Sequence, residues 1–257
     1  MKWDAAQYDS VKAPQVDAGK ELIVMAKVKN SDSVLDIGCG TGRLTLELSR
    51  LASQGAVLGI DPSSEMLEKA EEISETRDNL RFMLLSGQSM HFADQFDLVF
   101  SNSALQWIRE QQEVVHLVYR SLKKGGRIAF QLPAKNFCRE FFAYTSDAII
   151  LLGYEKYFRN WQTPWYLPTE EEYETLLKST GFRNINVFSK DYRLLFGSVG
   201  EVIAWWSSAG LRPFLDLLSG REQEYFQYAV AMSYESNRTD RRIEFGFRRL
   251  FAFAEKV

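Results

Sequence analysis

The chain has 257 residues, 46% of them apolar and 25% charged, with 31 basic against 34 acidic side chains and a net charge of −3. This is the composition of an ordinary soluble globular protein, which excludes a disordered or collagen-like chain, and the length suits one α/β domain with an insertion or two domains. The charge balance argues against a dedicated nucleic-acid binder, which carries a strong basic excess.

In chain order, the first half reads as alternating strands and helices. Ser33–Ile37 is a short apolar run ended by glycines, and Arg43–Leu51 follows with Leu44, Leu48 and Leu51 at helical spacing. Ala56–Ile60 is a second buried strand. Ser63 or Ser64 caps a helix through about Glu75, with Glu65 and Glu68 favourable in its first turn. Leu80–Leu85 and Phe96–Ser101 are further strands, Gln112–Leu122 a helix, Gly125-Gly126 a turn and Arg127–Leu132 a fifth strand. Strands and helices in this alternation imply parallel βαβ units in an open, doubly wound sheet, whose ligands sit at the carboxyl ends of the strands.

The second half is less regular. Residues 137–165 are aromatic-rich and read as helical. Thr169–Thr180 is a capped helix ending at Gly181, Asn184–Phe196 a strand, 199–235 helical, and Gly246–Ala254 a last strand. Divided at Pro133, the first half has 15 basic and 18 acidic residues and the second 16 of each. The second half holds 11 Arg against 5 Lys, and four of the six Trp. Arg and Trp suit the gripping of planar anions and the lining of apolar pockets, and serve equally in surface charge networks and cores.

The most informative string is Asp36-Ile37-Gly38-Cys39-Gly40-Thr41-Gly42, between the first strand and the first helix. Glycines there let the backbone turn tightly and approach a ligand, and the helix N-terminus offers N–H groups to an anion. Twenty-one residues after Gly40, at the end of the second strand, Asp61 is placed to accept hydrogen bonds from ribose hydroxyls. Two kinds of nucleoside cofactor use such an arrangement. A dinucleotide fingerprint, G-x-G-x-x-G, needs a third glycine where this chain has Arg43. The G-x-G-x-G form with an acid two residues earlier instead resembles the first motif of the class I S-adenosylmethionine-dependent methyltransferases.

That resemblance implies an α/β fold, a doubly wound, mostly parallel seven-stranded Rossmann-like sheet with helical lid insertions, and S-adenosyl-L-methionine as cofactor. It divides a single domain, 1–257, into a cofactor-binding core at 1–133, lid insertions at 134–165 and 197–243, and the last strands of the sheet in 166–196 and 244–257. It implies a cofactor site of Asp36, Gly38, Cys39, Gly40, Asp61 and Pro62, with Met66 packed on the adenine and Cys39 as small-residue packing. Gly87-Gln88-Ser89 stands where the family often has G-D-A. Gln88 and Ser89 are therefore expected at the adenine, with an amide oxygen accepting where the family has a charge. Asn102 is expected to offer its carbonyl to the cofactor's amino group, and Tyr8 to close over the methionine end.

Phe100–Ile108, Ala209–Leu215 and Phe245–Ala254 resemble the trans-aconitate methyltransferase family, and the stretch from Trp3 to Leu22 runs in register with it. The Leu105–Ile108 segment with Tyr8 and Gln15 also resembles the juvenile hormone acid methyltransferases, and malonyl-carrier-protein methyltransferases share a similar L-Q-W. All three methylate carboxylates, so the resemblance implies a small-molecule acid substrate, with Gln15 and Trp107 holding the carboxylate and Arg212 as a further anion clamp. The trans-aconitate relatives carry Arg where this chain has Gln15, which leaves a monocarboxylic or more apolar acid open.

A carboxylate is already an anion at neutral pH and needs placement and desolvation rather than a base. This suits a chain with two histidines, His91 and His116, both read as surface or core-edge residues. The alternatives are N- or O-methylation of another metabolite, and a non-catalytic module that binds the cofactor. Cys39 and Cys138 cannot build a disulfide framework, and no Cys/His cluster has metal-ligand spacing, so no metal is expected. The first twenty residues hold charges at Asp4, Asp9, Lys12 and Asp17 rather than an apolar run, and no stretch reaches eighteen uninterrupted apolar residues. The expectation is a cytoplasmic protein, off the membrane, monomeric or weakly dimeric.

Overall fold

The computed structural model describes residues 14–74, 77–208, 210–238 and 242–257. Seven strands form one sheet: β1 Ser33–Ile37, β2 Ala56–Asp61, β3 Leu80–Leu84, β4 Phe96–Asn102, β5 Leu122–Pro133, β6 Arg183–Phe196 and β7 Ile243–Glu255, in the order β3-β2-β1-β4-β5-β7-β6. β1 to β5 pair parallel, while β7 runs antiparallel to both β5 and β6. The chain order reverses at β1, between β2 and β4, so a crevice opens at the carboxyl ends of these strands.

Both faces of the sheet are covered at its centre, which is why β1, β2 and β4 read as short apolar runs, while the edge strand β6 does not. The pleat sends Leu35, Val99 and Phe130 to one face, under Val114 and Val118 of α4 (Gln111–Ser121) and Leu177 of α7 (Glu170–Thr180). It sends Val34, Leu98 and Ala129 to the other, under Leu22 of α1 (Pro14–Ala26) and Leu48 of α2 (Arg43–Leu51). Helix α3 (Ser64–Ser74) packs beside β2 and β3. The expected capping of α7 is present: Thr169 and Glu172 form a reciprocal box, and Gly181 ends the helix at φ 111°.

A third core lies beyond the strand ends. Phe141 of α5 (Arg139–Leu151), Trp205 and Trp206 of α8 (Val199–Ser208), Phe214 of α9 (Arg212–Leu215) and Phe226 of α10 (Arg221–Ser236) pack with Phe245 and Phe247 of β7. The antiparallel β6–β7 pair, its strands joined through α8, α9 and α10, is long enough to serve both cores. Its inward positions fill the aromatic layer at Phe245 and Phe247, and the sheet core from Leu250 onward.

Three readings of the sequence are corrected. Gly125-Gly126 is not a turn before β5, because the strand begins at Leu122 and the register shifts between Phe96 and Leu98. Gly125, at φ 77°, donates to the Lys256 carbonyl and Lys256 donates back to Gly126, so the glycines form a bulged stretch inside the strand. Residues 159–165 are not helical. After α5 only one turn follows, α6 Glu155–Phe158. The Arg109 guanidinium then takes the carbonyls of Gln162 and Thr163, ahead of Pro164. The last strand, read from Gly246, starts three residues earlier at Ile243, while the helical reading of 199–235 resolves into α8, α9 and α10. Among the described residues no helix is long and apolar enough to cross a membrane.

Candidate active site

β1 ends at Ile37 and the chain turns through the glycine string into α2. Gly38, at φ 72°, lies where an added Cβ would stand 2.1 Å from the Ala104 Cβ, so only glycine lets this turn press against the loop after β4. Gly40, at φ 55°, has open space on its Cβ side. The amides of Gly38 and Cys39 donate to the Ile60 carbonyl at 2.8 and 3.1 Å, which ties the turn to β2.

Two carboxylates frame the turn. Asp61, at the end of β2, accepts the Gly40 amide at 3.0 Å on one oxygen and the Ser63 amide at 2.9 Å on the other. It therefore holds both the glycine turn and the entry to α3. Burial pushes its carboxyl above the usual carboxylate range, against the pull of those two amides. Asp36 is 2% exposed and accepts the Thr45 hydroxyl at 2.7 Å. Burial pushes it up to about 7, with the charge of Asp61 adding in the same direction. Burial, with Asp36 and Asp61, also raises the Cys39 thiol, which keeps it protonated and fits packing rather than nucleophilic chemistry.

The raised Asp36 predicts a pH dependence of stability. Its folded pKa lies above the unfolded value of 3.8, so the native state holds the proton more tightly. The stabilisation is full below about pH 4 and is lost as the pH rises through about 7, with a limiting slope of about 1.4 kcal/mol per pH unit for one proton. Asp36→Asn is expected to flatten this part of the curve. Urea midpoints of parent and variant between pH 4 and 8 check it, and equal slopes would discard the assignment.

A cavity of about 470 Å³ opens over these groups. Asp36, Gly38, Cys39, Gly40, Asp61, Pro62, Met66, Gln88, Asn102 and Trp107 all line it, so the fold gathers the expected residues from four strand ends. Trp107 stands in a short 3-10 turn after β4, its ring 5.6 Å from that of Trp165. Ser89 is exposed and off the lining, its hydroxyl bonded to that of Ser86 at 2.9 Å. Arg212 is also off the lining. It heads a one-turn helix whose Pro213 and Phe214 fill the aromatic core while its own side chain is half-buried. Tyr8 lies outside the described residues. Gln15 falls in the first turn of α1, its side chain outside them. His91 and His116 are exposed and away from the cavity. Among the described residues no metal-holding group of His, Cys, Asp and Glu gathers.

The far half of the cavity belongs to the aromatic layer, with Phe137, Phe141, Phe142, Trp165 and Trp206 in its wall. Set among them is Arg249 of β7, 2% exposed. Its guanidinium donates to the Ser103 hydroxyl at 2.5 Å and to the Gln131 side-chain oxygen, bridging the carboxyl ends of β4 and β5. It lies over the rings of Phe247 and Phe137 at 5.2 and 5.9 Å. Its neighbour Arg248 points the other way, to Glu170 and Asp191. Arg249 is the residue the sequence reading passed over. The available signal was a strand alternation: Phe245 and Phe247 face inward, so the next inward position is Arg249.

Comparison with known proteins agrees with this geometry. Residues 28–181 match the family profile described as Methyltransferase domain. The chain is 28% identical over 259 residues to the trans-aconitate 2-methyltransferase of Deinococcus radiodurans, covering 100% of this chain and 99% of that one. Among solved structures it resembles the YcgJ protein of Bacillus subtilis, with a TM-score of 0.64 at 16% identity, over 93% of this chain and 98% of the other. It also resembles a phosphoethanolamine N-methyltransferase of Haemonchus contortus solved with S-adenosylhomocysteine. There the TM-score is 0.60 at 21% identity, over 93% of this chain and 52% of that one.

Proposed function

This chain belongs to the methyltransferase domain family and is an S-adenosylmethionine-dependent methyltransferase, and we propose that it methylates the carboxylate of a small organic acid. The cofactor suits the residues present. Asp61 brings a carboxylate to the cavity beside the open cradle at Gly40, where ribose hydroxyls find acceptors, and Met66 offers a polarizable wall for the adenine. When bound, the cofactor supplies an electrophilic methyl on a sulfonium, and the acceptor oxygen takes that methyl while the sulfur leaves as a thioether.

The observation that carries the carboxylate reading is Arg249, a buried guanidinium in the wall of the same cavity. Held by Ser103 and Gln131, it keeps a fixed direction and offers a planar anion charge-assisted hydrogen bonds. No histidine is among the described lining residues, which fits an acceptor that arrives as an anion and needs no base. The Deinococcus relative, named for trans-aconitate, supports the same chemistry. We assign Trp107, which lines the cavity and whose indole is a hydrogen-bond donor by type, and Gln15 to the acceptor carboxylate as well. Incubating the enzyme with methyl-labelled cofactor and a panel of organic acids is expected to yield base-labile methyl esters. Label appearing only on amines or phenols would overturn the carboxylate assignment.

A further inference from the structure

The acceptor half of the cavity combines few charges with many rings. Among the described lining residues the cations are Arg43 and Arg249. Arg43 is exposed and begins α2 directly after the glycine turn, on the cofactor side. Arg249 is buried among the aromatic side chains. The lining acids, Asp36 and Asp61, sit beside the glycine turn and offer no cation to a further carboxylate. Around Arg249 the wall includes Phe137, Phe141, Phe142, Trp165 and Trp206, with Phe141 and Trp206 stacked at 3.7 Å, and Ser103, which Arg249 already engages.

We infer that the acceptor is a monocarboxylic acid with a bulky apolar or aryl body, its one carboxylate at Arg249 and its body against these rings. The inference rests on the carboxylate reading above and narrows it. A tricarboxylate would bring three charges to a wall whose described residues hold one buried guanidinium. Two of them would lose water with no second buried cation among the described lining residues to meet them, a cost that rises steeply away from solvent. An apolar body instead displaces water from ring faces that have no other use for it. Trp165 is the ring best suited to test this. It is half-buried, on the irregular stretch after α6, and its ring meets those of Trp107 and Phe142 at 5.6 and 5.8 Å.

The experiment compares kcat/KM for 4-phenylbutyrate, decanoate, acetate and trans-aconitate, using labelled cofactor. The two acids with large apolar bodies are expected to exceed both acetate and trans-aconitate by about 100-fold, the range in which an unmatched charge or a lost apolar contact discriminates. Trp165→Ala is expected to raise KM for 4-phenylbutyrate about tenfold, as truncation of an aromatic contact does, and to raise it less for acetate, which has no body to lose contact with the ring. Calorimetric affinity for S-adenosylhomocysteine should not change, which separates a lost acceptor contact from a damaged fold. A preference for trans-aconitate, or acetate turned over as well as 4-phenylbutyrate, would overturn the inference and leave the carboxylate reading standing. Label transfer to none of the four acids but to amines or phenols would remove both.

Discussion

Asp61→Ala is expected to weaken binding of S-adenosylhomocysteine about 100-fold, or about 2.7 kcal/mol. The size follows from what this carboxylate does at the end of β2. Each oxygen already accepts one backbone amide, from Gly40 and from Ser63, so the group is locked in place before any ligand arrives. The lone pairs that remain are offered to the cavity, where two ribose hydroxyls would add charge-assisted hydrogen bonds of about 1.5–3 kcal/mol each, partly offset by the desolvation that already raises the carboxyl. Alanine removes those acceptors and also leaves the Gly40 and Ser63 amides without theirs, which loosens the glycine turn itself. Asp61→Asn separates the two effects. It keeps the shape but places an NH2 where one oxygen accepted an amide, so it too should bind worse than the parent. Calorimetry on parent and both variants reads the difference, with thermal melts to show that the fold persists. Parent-like affinity in both variants would mean that the cofactor does not lie over the glycine turn.

The parts of this site that could be read in the sequence are those made by neighbours in the chain. The glycine turn, its flanking strand and helix, and the acid at the end of the next strand follow from local rules: apolar runs, glycines where φ is positive, and acceptors at strand ends. Asp36, Asp61 and Gly40 therefore stand where their spacing put them. The acceptor half is made by residues far apart in the chain. Arg249 meets Gln131 across 118 residues and Ser103 across 146, and neither pairing leaves a periodic trace. Between Arg212 and Arg249 the chain's composition offers no choice. Only the course of β7 carries one guanidinium inward, while the one-turn helix after Leu211 spends its burial on Pro213 and Phe214. The aromatic stretch around 137–165 misleads for a related reason. Its rings are apolar on every side, so they suggest helix throughout, yet Gly153, Pro164 and the carbonyl contacts of Arg109 break it.

Replacing Arg249 with methionine should lower kcat/KM for a carboxylate acceptor about 1,000-fold, or about 4 kcal/mol, within the range for removing one partner of a buried, hydrogen-bonded charge pair. The split between the constants carries the information. Methyl transfer turns the carboxylate into a neutral ester, so the acceptor's charge is greatest before reaction and falls on the way to the transition state. A guanidinium facing that charge binds the ground state at least as strongly as the transition state, and its loss belongs in KM rather than kcat. Arg249→Lys keeps the charge but not the planar fork that spans Ser103 and Gln131, and should fall between methionine and the parent. Methionine also strands those two side chains, which should cost about 1–3 kcal/mol of stability, readable as a lower urea midpoint. Affinity for S-adenosylhomocysteine is expected to fall less than affinity for the acid, because Asn102, of the residues assigned to the cofactor, adjoins Ser103, the partner of Arg249, while Asp61 and Gly40 are held by contacts of their own. If KM for the acid stays unchanged in a folded Arg249→Met protein, the acceptor's anion is held elsewhere.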